Sequence, residues 1–528
     1  MRMKTRIVTL FLVATLALLV MVIPLAWAAQ PPPTVWDKTF GGTGYDLAYS
    51  VQQTSDGGCV LAGWTGSYGA GNTDAWLIKT DSSGNQVWDK TFGGINNDAG
   101  LSARQTSDGG YILAGGTESY GAGGNDAWLI KTDSSGNQVW DKTFGGTDYD
   151  LAYSVQQTSD GGYVLAGWTA SSGAGNTDAW LIKTDSSGNQ TWDTTFGGVN
   201  GEEAYSVQQT SDGGYVLAGW TASSGASNNN AWLIKTDSSG NKTWDKAFGG
   251  ANGEEAYSVQ QTSDGGYVLA GWTASYGAGS YDAWLIKTDS SGNKTWDKTF
   301  GGTSYDGAFS VMQTSDGGYV LAGYAYSYGA GGSDAWLIKT DSSGNNIWDK
   351  TFGGTGGEQA YSVQQTSDGG YILAGYTDSY GAGSWDAWLI KVDSSNAPLP
   401  TVASISPNTG VAGWTVNVTS LAGTGFQAGA SVRLELGATV VDATSVTVVS
   451  ATQITCQIAL PGTPGKYDVV VKNPDGQEGR LTEGFSVTNV CGQGAGAVVV
   501  GFGLMMGLLS LGGSGLLRRR LGKKSRAA

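Results

Sequence analysis

Short apolar runs separated by turn residues recur along most of the chain. From Ala48 to Phe92 the runs are AYSVQQT (48–54), CVLAGWT (59–65), AWLIKT (75–80) and QVWDKTF (86–92), with SDGG at 55–58 and DSSGN at 81–85 between them. Runs of this length, rich in β-branched and aromatic residues and bounded by Gly, Asp, Asn and Ser, predict four short strands, with glycine supplying the positive φ of tight hairpins. The stretch then repeats. Trp36, Trp88, Trp140, Trp192, Trp244, Trp296 and Trp348 stand 52 residues apart, and no insertion or deletion breaks the spacing. A four-strand unit at this period reads as a propeller blade, so an all-β, seven-bladed β-propeller is expected over residues 36–396.

The ends of the array fit each other. It opens with an orphan WDKTF at 36–40 and stops after Ala387–Val392 with no such run following. If WDKTF is the outer strand of each blade, the N-terminal copy completes the seventh blade and closes the ring, hiding edges that an open sheet would expose. An open, stacked solenoid is the alternative. The whole pattern, SDGGYVLAG followed by DAWLIKTDSSGN and WDKTFGG, resembles the propeller-like repeats of secreted and cell-surface proteins of bacteria and archaea. That resemblance implies a fold and an extracellular place, and little about activity. Cys59 stands where Tyr111, Tyr163, Tyr215, Tyr267, Tyr319 and Tyr371 stand in the other units, which predicts a core residue rather than a reactive thiol.

Beyond a linker at 397–400 the composition shifts to Val, Thr and Ser. ISPNTG (405–410), GTGF (423–426), ATQITCQIALPG (451–462) and GKYDVVVKNPDG (465–476) together resemble the IPT/TIG domain, so an immunoglobulin-like β-sandwich is expected at 401–489. In intracellular relatives that fold can help contact DNA. For an exported chain the resemblance implies a surface spacer or adhesion module.

Both termini read as addresses. Residues 1–29 carry a basic start, an apolar run from Ile7 to Leu25 and the small-residue exit Ala26-Trp27-Ala28, the pattern of a secretory signal peptide. Within residues 490–528, Gly494 to Leu517 is 24 residues without a charge, followed by Arg518, Arg519, Arg520, Lys523, Lys524 and Arg526. This predicts a C-terminal transmembrane helix with its basic flank inside the cell and the body outside. Cys491-Gly492, the span and the Arg cluster resemble the sorting tails of prokaryotic surface proteins. The resemblance implies a tail cut by a membrane protease, with Cys491 as the processing or lipid-attachment position; a permanent single-span anchor is the alternative.

Composition then removes whole classes of function. Nine of the 29 basic residues lie in the two terminal segments, which leaves the body with 20 against all 45 acids, a net charge of −25. Such a body repels phosphate backbones, so nucleic acid is not an expected partner. With no histidine in the chain, Ser-His-Asp and Cys-His catalysis and His-liganded metal sites are excluded together. Cys59, Cys456 and Cys491 are too few and too scattered for a disulfide framework. No cofactor and no metal site are expected.

A rigid scaffold usually carries its function on loops. The SDGG and DSSGN turns hardly change between units, whereas the loops at the other end do: TGY, INN, TDY, VNG, ANG, TSY and TGG at 43–45 and the equivalent positions. The variable end is the expected binding face. One acid persists there in every unit: Asp46, Asp98, Asp150, Glu202, Glu254, Asp306 and Glu358. Seven such carboxylates could coordinate Ca²⁺ or engage sugar hydroxyls, or each could cap the amides of its own loop. Tyr68, Tyr120, Tyr276, Tyr328 and Tyr380, with Trp385, offer flat faces for carbohydrate stacking, or cover the blade ends. Asp56, Asp81 and their repeats are expected to bond their own turns. Trp36, Trp76 and their equivalents are expected between blades, and Lys79 and its repeats as exposed or Asp-paired strand residues.

Two function classes remain. The first is a non-enzymatic surface protein that binds a glycan or protein ligand, or displays a rigid ring beyond the membrane that its C-terminal helix spans. The alternative is an extracellular polysaccharide hydrolase or lyase, for which two carboxylates suffice. Catalysis needs unlike residues converging with separated pKa values, and no blade carries a unique cluster of acids, bases or ligands. No catalytic residue is assigned.

Overall fold

The computed structural model describes residues 31–225, 229–393, 400–427, 429–473 and 478–489. These form two compact units that divide between residues 398 and 399. The expected signal peptide, the C-terminal tail with Cys491 and residues 397–399 of the linker lie outside the described residues. Among the described residues every regular element is a strand, and no helix is long and apolar enough to cross a membrane.

A strand β1 (Thr34–Phe40) precedes the first full blade, which consists of β2 (Asp46–Gln53), β3 (Cys59–Thr65), β4 (Asp74–Thr80) and β5 (Gln86–Phe92). The blade pairs antiparallel in the order β2-β3-β4-β5, and five more four-stranded sheets repeat it. The seventh sheet takes Glu358–Gln365, Tyr371–Thr377 and Asp386–Val392 from the end of the array, and β1 as its fourth strand. Phe40 stands opposite Ala387 and Trp36 opposite Lys391. Blade seven also meets blade one, where the Val51 N–H donates to Ser362 Oγ at 3.2 Å. The ring is closed, and the solenoid alternative falls.

Local chemistry sets each element. In the β2–β3 turn the Thr54 N–H donates to the Gly58 carbonyl at 2.8 Å, while Asp56 Oδ1 accepts from Thr54 Oγ1 at 2.6 Å and from the Gly58 N–H at 3.0 Å. In the following DSSGN turn of blade two, Gly136 has φ +78° and lies so close to Trp88 of blade one that a Cβ would sit 2.6 Å from its ring. Only glycine fits both demands. β4 is buried at every position, because both faces of the sheet meet another blade. Along β3 and β4, Leu61, Trp76 and Ile78 pack on Ile372, Ala374 and Leu389 of blade seven, while Val60, Ala62 and Leu77 pack on Leu113, Trp128 and Ile130 of blade two. The propeller core is therefore a set of layers between blades, each buried Leu, Ile or Val contributing about 1.5–3 kcal/mol.

The innermost strand carries a bulge. Between Ala48 and Ser50 the register with β3 slips by one residue, leaving Tyr49 unpaired, and the equivalent residue is skipped in every blade. A Cβ on Gly63, opposite the bulge, would lie 1.7 Å from the Leu47 carbonyl oxygen, which accounts for the glycine in the LAG run. Bulges re-aim side chains, and this one presents an aromatic residue from most inner strands.

In the second unit one sheet contains Thr401–Ser406, Thr415–Thr424, Gln453–Ala459 and Thr444–Ser450. The other contains Thr409–Val411, Glu478–Thr488, Gly465–Lys472, Ser431–Leu436 and Thr439–Asp442. Leu421, Ile454, Tyr467, Val469 and Phe485 form the core of this sandwich. Cys59 and Cys456 are both buried and free, and burial pushes each thiol up to about 11.

Candidate functional site

The seven persistent acids of the variable end are all buried. Asp46 Oδ2 accepts from the Gly42 N–H at 2.9 Å and from Ser67 Oγ at 2.6 Å, and Thr65 donates to its other oxygen. Asp98, Asp150, Glu202, Glu254, Asp306 and Glu358 each accept from the glycine N–H four residues earlier in the same way. Their oxygens are consumed by their own loops. The Ca²⁺ or sugar reading of these seven is corrected accordingly: they cap, and they do not reach solvent. A second set, at Asp74 and its repeats, closes the β3–β4 loop and its equivalents; Asp74 accepts from the Ala70 and Gly71 N–H groups, and burial raises its pKa.

Tyr68, Tyr120, Tyr276, Tyr328 and Tyr380 are partly exposed. Their hydroxyls donate to the carbonyls of Gly41, Gly93, Gly249, Gly301 and Gly353, and their rings tilt against Trp76, Trp128, Trp284, Trp336 and Trp388 with centroids 5.6–5.8 Å apart. They brace the loops and sit one to a blade, so they do not converge. Trp385 is half-buried, edge-on to Tyr45 at 5.2 Å and tilted over Tyr376 at 4.8 Å.

Other aromatic residues do converge. The bulged position presents Tyr49, Tyr153, Tyr205, Tyr257, Phe309 and Tyr361, with Leu101 in blade two. Neighbouring rings touch from Tyr153 through Tyr205, Tyr257, Phe309 and Tyr361 to Tyr49, with centroids 4.6–5.1 Å apart. On blades five and six this collar opens into a cup of about 360 Å³, lined by Tyr257, Trp272, Tyr281, Tyr305, Phe309, Tyr324 and Tyr326, with Gln359 of blade seven. The rings follow one another around it: Trp272 to Tyr281 at 4.5 Å, Tyr281 to Tyr305 at 5.1 Å, Tyr305 to Tyr326 at 6.5 Å, Tyr326 to Tyr324 at 6.0 Å, and Tyr324 to Phe309 at 5.4 Å. Trp272 Nε1 closes the circuit by donating to Tyr257 Oη at 3.4 Å.

One acid adjoins this cup, and a second lies one blade earlier. Glu255 accepts from Tyr257 Oη at 2.7 Å and from Asn229 Nδ2 at 3.4 Å. Burial raises its pKa against the hydrogen bonds of Tyr257, Asn229 and Trp272. Burial also pushes Glu203, on the preceding blade, up to about 7; Tyr205 and Trp220 oppose the shift, and the charge of Glu255 adds to it. Blades four and five thus each hold one half-buried glutamate that the other blades lack. The signal was in the sequence: Glu203 and Glu255 stand where Leu47, Ala99, Leu151, Gly307 and Gln359 stand elsewhere. Among the described residues no group of three metal-ligating side chains occurs.

At the opposite end Lys79 is buried rather than exposed, paired with Asp56 at 2.9 Å and donating to the Thr80 carbonyl at 2.7 Å. Burial works against the ionised form of Asp56, but hydrogen bonds from Thr54, Lys79 and the Gly58 N–H, with the Lys79 charge, bring it down to about 2. Six further blades repeat the pair.

Residues 400–487 match the family model of the IPT/TIG domain. The chain matches no curated protein. Among solved structures it is similar to the WD40 domain of Neurospora crassa Pan2, at 10% identity and a TM-score of 0.41, over 69% of this chain and 97% of that one. It is similar to the β-propeller domain of the trilobed protease from Pyrococcus furiosus, at 8% identity and a TM-score of 0.37, over 68% and 97%. A third likeness is to the extracellular region of plexin A4, at 9% identity and a TM-score of 0.40, over 86% and 53%. By its own sheets the chain is a repeat-built, propeller-like all-β protein, and the family match gives it an IPT/TIG domain.

Proposed function

We propose that this is a non-enzymatic cell-surface binding or display protein whose variable-loop face takes a glycan or protein ligand. The observation that carries the reading is the aromatic cup. Seven rings around one depression give a rigid surface on which the C–H face of a sugar or an apolar side chain stacks, and Tyr305 and Tyr326 remain about half exposed at its rim, at 49% and 50%. In this reading residues 1–29 direct export from a prokaryotic cell. Residues 490–528 hold the body outside, as a permanent span or as a sorting tail processed or lipidated at Cys491. The IPT/TIG domain serves as spacer or adhesion module. Screening the protein on a glycan array tests the proposal: binding is expected, and it should weaken when Trp272 or Tyr324 is replaced by Ala. Binding that ignores both changes would move the site elsewhere.

Glu203 and Glu255 favour a second reading, an extracellular polysaccharide hydrolase or lyase. Glycoside cleavage uses two carboxyls whose surroundings shift their pKa values, and burial raises both of these, Glu203 to about 7. Release of reducing ends from a polysaccharide, abolished in Glu203→Gln, would establish it over the binding module.

A further inference from the structure

The axis of the ring holds a feature that loop-face binding does not use. At the position of Gln52 the successive blades carry Gln52, Arg104, Gln156, Gln208, Gln260, Met312 and Gln364. In all five glutamines Oε1 accepts a backbone N–H of the next blade at 2.6–2.7 Å, from Gln105, Gln209, Gln261, Gln313 and Gln53. A backbone N–H can only donate, so each amide is oriented by its partner, and the Nε2 donors have no protein acceptor among the described residues. The serines two positions earlier behave alike. Ser50 and Ser154 accept from Ala103 and Val207 of the next blade, which leaves their hydroxyl protons to donate.

The five glutamines, Arg104, Met312 and Ser154 line an axial channel of about 450 Å³, and no acid lines it. Even the neighbouring Gln105 and Gln157 have their Oε1 atoms taken, by the N–H groups of Ser55 and Ser107. The fold engages these carboxamide oxygens and leaves the Nε2 donors of the five glutamines available to a ligand. Into this lumen blade two contributes a guanidinium, the one cation among the lining residues. Arg104 forms no ion pair among the described residues, and burial alone acts on it, lowering its pKa. It cannot accept a hydrogen bond, so the Gln157 N–H that faces it lacks the acceptor its counterparts have. The side chain is only half-buried and opens onto the channel, so an ion from solution can reach the guanidinium and supply the counter-charge it lacks.

We propose that the axial channel is an anion site centred on Arg104, taking a small oxygen anion, either an inorganic oxyanion or the carboxylate of a small organic acid. Guanidinium is weakly hydrated and presents paired donors to such an anion, and the surrounding amides and hydroxyls complete its shell. The site is independent of the loop face and of any ligand there.

The test uses purified protein in a low-salt zwitterionic buffer, titrated separately with sulfate, nitrate, acetate and citrate by calorimetry and by thermal unfolding. Saturable binding of at least one anion, one per ring, and a matching rise in Tm are expected. Saturation by sulfate or nitrate alone assigns an inorganic oxyanion, by acetate or citrate alone an organic acid, and by both kinds the shared chemistry. Arg104→Gln restores the residue of five other blades and gives the Gln157 N–H an acceptor. It should therefore fold at least as well without anion and lose binding tenfold or more. Arg104→Met, copying Met312, should lose it equally and serves if the Gln variant fails to fold. Equal responses in wild type and variants, or no saturable binding to any of the four anions, would overturn the proposal.

Discussion

Trp388 donates its indole N–H to Asp37 at 3.1 Å, across 351 residues of chain. In the other six blades the same Trp–Asp bond spans thirteen residues and measures 2.9–3.1 Å. The seam of the ring thus has the chemistry of an ordinary junction between the third and fourth strands of a blade.

Removing that strand should open the ring. A chain lacking residues 31–42 loses the burial of Phe40 and part of Trp36, worth about 1.5–3 kcal/mol each, and exposes the edge of Asp386–Val392. A lower Tm by calorimetry and association in size-exclusion chromatography are expected. A truncated protein that stays monomeric and melts where the intact one does would contradict closure by β1.

The buried lysines predict a response to acid. Asp108 lies near 2 in the folded protein, below its unfolded value of about 3.9, so the native state binds fewer protons. Its contribution is complete above pH ~4 and fades as pH falls through 2. Because Asp108 is largely exposed, the gain per pair is small, but Lys131 is buried and cannot be left alone. Asp108→Asn should destabilise at neutral pH and flatten the acid limb, and adding Lys131→Met should restore most of the loss. Denaturant titrations at pH 7 and pH 3 read both effects.

Glu203 acts in the opposite sense. Its folded value of about 7 exceeds the unfolded ~4.3, so its contribution is greatest below pH ~4 and is lost as pH climbs toward 7. Glu203→Gln should make this decline shallower between pH 5 and 7, leaving only the part that Glu255 and other buried acids contribute. An identical slope in both proteins would mean that the carboxyl ionises at its ordinary value.

For a ligand found on the loop face, the cup and the loop tyrosines should separate. Trp272→Ala or Tyr324→Ala should weaken binding by about 1–3 kcal/mol, taking base stacking as the analogue. The triple change Tyr276, Tyr328 and Tyr380 to Ala removes three hydroxyl braces and should instead lower thermal stability. Isothermal titration beside differential scanning calorimetry distinguishes the two.

The ring was legible because its information is local and repeated. SDGG and DSSGN fix the hairpins, the unbroken AWLIKT run marks a strand covered on both faces, and the orphan WDKTF announces the seam. Burial was harder to read. Lys79 lies in the plane between blades, where only the packing of blade on blade shows that its ammonium is enclosed. The seven acids follow the Gly-Gly pair in every loop, and nothing in their spacing tells a carboxylate that caps amides from one that meets solvent. The cup was missed for a different reason. Its rings come from the bulged position, from the end of the second strand and from the two variable loops, which only the backbone bulge and the turn of the ring bring together. Comparing the copies column by column would have singled out Glu203, Glu255 and Arg104 as departures, though not their surroundings.

Because β1 is borrowed from the far end of the array, the cut in the circle falls inside a blade and never between two. A gain or loss of one whole 52-residue unit by recombination between near-identical copies therefore leaves each blade with four strands and each junction unchanged. The number of blades becomes a quantity that inheritance can adjust in single steps, limited only by how far the angle between blades can open or tighten. A six- or eight-membered sibling would keep the same interfaces and the same clasp while altering the bore of the axis and the number of loops around its rim.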